Sequence, residues 1–139
     1  PGAIEALVEA GVESIEHGTY MDRESIDLMA AHDVAVTLTR STIESIKELD
    51  RAPDYYREHA QQALDSQAEQ LGYADERGVL AMGTDTGAVG QKHGDNADEL
   101  VHMVANGIDP LDAIEISTRD TADLLGLGDT LVVSVPGRR

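Results

Sequence analysis

The residues of this chain best suited to chemistry are few and far apart. His17 in "SIEHG" and Asp85 in "GTDTG" each follow a short apolar run and sit beside glycine. A neutral imidazole and a carboxylate are both ligands for first-row divalent ions such as zinc, manganese, nickel or iron. Each residue also has a plainer reading. A histidine after a strand is commonly a hydrogen-bonded loop residue, and an aspartate before Thr-Gly is commonly a turn or cap residue. Two ligands do not complete a site, because structural zinc takes four and catalytic zinc usually three plus water.

His93, in "KHGDNADEL", lies between a strand end and a helix start. From there it could bind a substrate carboxylate together with free backbone N–H groups. Asp95 or Asn96 is placed to cap the helix that follows. His32, His59 and His102 fall within or beside helical stretches without a partner pattern and read as solvated surface. Ser41, Thr84 and Thr86 carry hydroxyls, but no Gly-x-Ser-x-Gly elbow is present and no base is specified. "GTDTGAVG" has an acid where a phosphate-cradling loop has none, which argues against nucleotide binding. The paired helices in "DPLDAIEISTRDTADLLGL" set Arg119 against Asp120 and Asp123, the wrong charge for a helix that reads DNA.

The elements that must position these residues alternate between two periods. Ala3 to Ala10 reads as a helix stopped by Gly11, and Val12 to Glu16 as a strand ending at His17. Asp22 caps a second helix carrying Ile26 and Met29. "VAVTLT", Val34 to Thr39, is a second strand rich in β-branched residues. A short helical turn over Ile43 to Leu49 precedes Pro53, which opens a long helix. Its apolar stripe comprises Tyr56, Ala60, Ala63, Leu64, Ala68, Leu71 and Ala74. Gly78 ends that helix before a third strand, Val79 to Met82. Beyond the GTDTG turn, Asn96 to Ala105 is helical. Pro110 then starts another helix, broken near Thr118 and followed by a last one to Leu125. Strands joined by long helical crossovers make parallel α/β structure, whose ligands bind at the C-terminal ends of the strands. His17 and Asp85 both fall there.

Composition bounds the remainder. At 139 residues the chain suffices for one domain. Its 27 acidic and 10 basic residues give a formal charge of -17, a surface that repels nucleic acid and anionic membranes. Heavy acidity with almost no lysine is the pattern of halophilic proteins, whose carboxylates keep the surface hydrated in salt. With 0 cysteines, disulfides and thiolate metal sites are excluded. Neither a leader nor an apolar run near the roughly 20 residues that span a bilayer is seen, so a soluble cytoplasmic protein is expected.

"AGVESIEHGTYMD", "VLAMGTDTG", "HGDNADEL" and "GIDPLDAIEISTRDTADLLGL", in that order, resemble the C-terminal half of the amidohydrolase superfamily. The likeness is greatest to its imidazolonepropionase-like and prolidase-like metal-dependent hydrolases. The resemblance implies an incomplete TIM-type β/α barrel over residues 1–127, comprising strands six to eight with their helices, and an irregular or disordered tail over 128–139. It implies that His17 is a metal ligand ending the sixth strand. Asp85, ending the eighth, would be both metal ligand and catalytic base. Thr84 and Thr86 would steady that carboxylate by hydrogen bonds, and His93 would contact substrate. The implied cofactor is a divalent metal, with zinc expected and manganese, nickel or iron as alternatives. The implied reaction is hydrolysis of amide or peptide bonds, such as those of dipeptides or cyclic amides, by metal-activated water.

The family's remaining ligands are a His-x-His pair on the first strand, a carboxylated lysine or acid on the fourth and a histidine on the fifth, and all are absent from this sequence. The ending "GDTLVVSVPGRR" also departs from the family. The chain therefore reads as a truncated product that associates with itself or with a complementary N-terminal fragment. The alternative reading is a catalytically inactive remnant that persists only as a folded or oligomeric fragment.

Overall fold

Three short apolar runs pair as one parallel sheet. β1 (Ser14–Glu16), β2 (Ala35–Thr37) and β3 (Leu80–Ala81) lie in the order β1-β2-β3. The structure is a computed structural model that describes residues 2–50, 52–88 and 90–131. Helix α1 (Gly2–Glu9) precedes β1, and α2 (Arg23–Ala31) joins β1 to β2. Helices α3 (Arg40–Glu48) and α4 (Asp54–Glu76) join β2 to β3. After β3 come α5 (Asp98–Ala105), α6 (Pro110–Glu115), a π-helical turn (Ile116–Asp120) and α7 (Thr121–Leu124). The alternation expected from the sequence is present, and the tail beyond residue 131 lies outside the described residues.

Strand side chains alternate between faces. The register puts Ile15, Val36 and Leu80 in one row, all buried, where they join Ile26, Met29 and Leu71 in the core. Full burial of side chains of this size contributes about 2 kcal/mol each. The opposite face carries Ser14, Glu16, Thr37 and Ala81. There the Ser14 hydroxyl donates to the Glu16 carboxylate at 2.9 Å, and the Thr37 hydroxyl donates to its other oxygen. Among the described residues β2 is the central strand, with β1 and β3 each paired to it alone. No described helix is long and apolar enough to cross a membrane.

Several boundaries differ from the sequence reading, each for a local reason. The second strand ends at Thr37, because Thr39 turns into left-handed backbone (φ 52°) and α3 begins directly after it. On α4, Tyr56 and Ala68 are exposed, and their expected place on the buried face is taken by Gln67, which is fully buried. The helical stretch near Thr118 is not broken but widened into the π turn. There the Thr121 hydroxyl donates to Ile116 O at 2.7 Å and accepts from the Met82 N–H at 2.8 Å. A π turn frequently marks a functional region, and this one is stitched to the end of β3. Helix α5 starts at Asp98 without a side-chain cap, since the Asn96 carboxamide oxygen accepts a hydrogen bond from Thr86 instead.

A buried polar network ties the helices to the strand ends. Glu99 of α5 accepts from the backbone N–H of Arg40 at 3.0 Å and of Ser41 at 2.8 Å, capping α3 from 58 and 59 residues away. Arg40 is buried and donates to Leu64 O, to Gln67 Oε1 and to Asn106 Oδ1. Burial pushes its guanidinium below the ordinary arginine range, and the nearby Glu99 carboxylate opposes that shift. The Gln67 amide donates to His17 O at 2.7 Å and to Leu38 O at 2.8 Å.

Two substitutions test this framework. Replacing Glu99 by alanine strips the two α3 amides of their acceptor and removes the strongest of the carboxylate charges acting on buried Arg40, those of Glu44 and Asp65 remaining. The expected loss is about 3 kcal/mol, with Glu99→Gln losing less, measured by chemical denaturation. The Asp22 cap accepts from Ser25 N at 2.9 Å and Ser25 Oγ at 2.7 Å, and these bonds hold its carboxyl below the usual aspartate range. A depressed carboxyl stabilises the fold above its unfolded pKa and loses that contribution as pH falls through the folded value. Asp22→Ala should therefore cost about 1 kcal/mol at neutral pH, and its urea midpoint should converge on that of the native chain in acid below about pH 4.

Candidate active site

In a parallel sheet all strand C-termini share one edge, and here each strand end leads to a non-glycine residue in left-handed backbone. These residues are His17 (φ 70°) after β1, Thr39 (φ 52°) after β2 and Asp85 (φ 54°) beyond β3. Aspartate and histidine tolerate this region better than most residues, whereas for threonine it is a genuine outlier. Such backbone persists only where the surroundings over-determine it, and it clusters at active sites. Gly18 continues the turn after His17 at φ +55°, with a Cβ there falling 2.5 Å from Val36 Cγ2, so only glycine fits.

The His17 backbone is fixed on both sides. Its N–H donates to Thr37 O at 2.7 Å, and its carbonyl accepts from Gln67. Its ring Nδ1 lies 2.7 Å from Thr39 Oγ1, while the side chain remains exposed. Asp85 is also exposed, and among the described residues its carboxylate makes no hydrogen bond or ion pair. The backbone around it is held from below, as the Thr42 hydroxyl of α3 donates to Thr84 O at 2.6 Å.

The flanking threonines do not turn their hydroxyls to Asp85. Thr84 and Thr86 hydrogen-bond each other, and Thr86 donates to Asn96 Oδ1 at 2.8 Å, so the pair fastens the GTDTG turn to the loop before α5. That loop brings His93 over the turn, where a Cβ at Gly87 would lie 3.7 Å from its Nε2. His32 and His59 are exposed and His102 is half-buried on α5, away from the strand ends. Ser41 is buried at the start of α3. Two clefts, lined by Gly78, Val79, Leu80 and Ala35 among others, open at the opposite edge of the sheet.

Among the described residues no three histidine, aspartate or glutamate side chains converge as a metal site. His17 and Asp85 supply one nitrogen and one oxygen donor at the same sheet edge, both accessible, a set that fits a first-row divalent ion as two members of a larger ligand group. Sequence reasoning passed over Thr39, Gln67, Arg40 and Glu99, the residues that build the support behind this edge. The one signal for them was a glutamine and a glutamate recurring on otherwise apolar helix faces.

The model of the amidohydrolase family matches residues 1–131. Uncharacterised proteins of Mycobacterium bovis and Mycobacterium tuberculosis are 31% identical to the chain over 128 residues, covering 89% of it and 34% of their own length. Among solved structures, a Xaa-Pro dipeptidase with methionine bound in its active site is 38% identical, with a TM-score of 0.80 over 94% of this chain and 33% of that one. An ochratoxinase from A. niger is 31% identical, with a TM-score of 0.75 over 88% of this chain and 28% of that one. The chain thus spans about a third of the length of the relatives it matches. With the family model matching residues 1–131, the chain belongs to the amidohydrolase family.

Proposed function

We propose that the chain supplies strands six to eight of a metal-dependent, prolidase-like amidohydrolase that cleaves amide bonds of dipeptides or cyclic amides. The observation carrying this reading is the placement of His17 and Asp85, both accessible and both on left-handed backbone, at the one edge of the sheet where β/α enzymes do chemistry. The likeness to a Xaa-Pro dipeptidase favours a substrate with an amide to proline or a similar small residue.

His17 and Asp85 would hold a divalent ion, zinc being the expected one, in concert with donors from outside the described residues. When bound, the ion would supply Lewis-acid polarisation of water and of the scissile carbonyl. Asp85, whose carboxylate has no competing partner among the described residues, would accept a proton at Oδ from the attacking water and return it to the leaving nitrogen. His93, poised beside Gly87, would contact the substrate carboxylate, and the Thr84–Thr86–Asn96 chain would keep that loop in place.

As no third ligand converges among the described residues, this reading calls for further donors from barrel strands beyond those described, carried on the same or on another polypeptide. Without such completion the chain would persist as an inactive remnant.

The discriminating assay is hydrolysis of a dipeptide panel, Xaa-Pro included, with added zinc or manganese in high salt. The native chain is compared with Asp85→Asn, alone and with a polypeptide encoding the preceding strands. Loss of a proton shuttle should lower kcat/KM by on the order of 100-fold or more. Equal rates for the two chains would remove Asp85 from the chemistry, and inactivity under every condition would support the remnant reading.

A further inference from the structure

We propose that Thr39 is a positioning residue for His17: its hydroxyl accepts a hydrogen bond from Nδ1–H, fixing the imidazole tautomer and leaving the Nε2 lone pair as the ring's outward donor. The 2.7 Å contact is common to both ring tautomers, and the assignment of Nδ1 as its donor rests on the reading of His17 as a metal ligand through Nε2.

Four observations converge on it. Thr39 Oγ1 lies 2.7 Å from His17 Nδ1, a contact between two residues 22 apart that meets across the ends of neighbouring strands. Thr39 occupies the cap position of α3, where a threonine ordinarily turns its hydroxyl to the first-turn amides; here it makes no side-chain cap bond. That duty passes to Glu99, which accepts from the amides of Arg40 and Ser41, so the Thr39 hydroxyl is released toward the histidine. Finally, Thr39 is 2% exposed and held at φ 52°, a conformation that is strained for a β-branched residue.

Strain of this kind requires a frame that enforces it, and the frame is visible. Gln67 donates to the carbonyls of both His17 and Leu38, locking the backbone beside each partner of the Nδ1–Oγ1 contact. The Ile43 N–H donates to Thr39 O, tying the strained residue into the first turn of α3. The arrangement sacrifices a local cap and tolerates an unfavourable backbone, and what it gains is one fixed imidazole orientation. Metal-ligating histidines almost always donate their other ring N–H to a partner that sets tautomer and orientation, and loss of that partner typically lowers metal affinity by about 10–100-fold.

The test is a long-range proton–nitrogen spectrum of the metal-free, 15N-histidine-labelled chain near pH 8, where imidazole is neutral. His17 in the native chain should show a protonated Nδ1 and a bare Nε2. Thr39→Ser should keep that pattern. Thr39→Val, which preserves shape and β-branching and so the same backbone strain, should shift the ring toward the Nε2–H form that free imidazole favours. A native spectrum with the proton on Nε2 would overturn the proposal even if the valine variant failed to fold, and so would a folded Thr39→Val chain with an unchanged tautomer. Zinc titration by calorimetry separates the two readings. A tautomer shift accompanied by at least a 10-fold loss of zinc affinity supports both. The same shift, with zinc binding indifferent to His17→Ala, supports Thr39 as the positioning residue while removing His17 from the metal.

Discussion

The Gln67 side-chain amide donates to the carbonyls of His17 and Leu38, while its own oxygen accepts from Arg40. These are the points where β1 and β2 stop being strands, so their carbonyls turn away from the sheet ladder and would otherwise lie buried without a partner. An unsatisfied buried polar group costs about 1–3 kcal/mol. One carboxamide therefore decides how two strand ends are presented. Arg40 donates to that carboxamide, and Glu99 caps α3 while its charge favours the buried guanidinium. Helices α3, α4 and α5 are held to the sheet's C-terminal edge by this polar thread rather than by apolar contact alone.

The thread explains why three successive strand ends can rest in left-handed backbone without glycine. A β-hairpin or loop that needs φ > 0 normally uses glycine because nothing else enforces the turn. Here the neighbours do the enforcing, through Gln67 at the first two strand ends and through Thr42 and Thr121, the first residue of α7, around the third. The result is a rigid platform that leaves two chemically useful side chains, His17 and Asp85, standing clear of the packed interior. Function-bearing groups on a scaffold gain from such support, since small displacements of a reacting group are costly.

The two faces of the sheet differ in what they carry. The inner row of Ile15, Val36 and Leu80 is fully covered by helices, whereas the other face carries Ser14, Glu16, Thr37 and Ala81, small and polar groups suited to the interior of a closed barrel. Three parallel strands cannot close on themselves, and parallel sheets are found covered on both faces.

From the sequence alone came the α/β alternation, the parallel sheet, the Asp22 cap and the placement of His17 and Asp85 at strand ends, because each depends on local periodicity or on residues a few positions apart. The family was legible too, since its motifs are contiguous. What only the tertiary structure decided was the support: Gln67 reaching 50 residues to His17, Glu99 capping a helix 58 and 59 residues away, and Thr39 turned from its own helix toward an imidazole on the next strand. A pattern of apolar spacing counts a buried glutamine or glutamate as an interruption. Only the fold reveals the carbonyls and amides that give such a residue its reason to be buried.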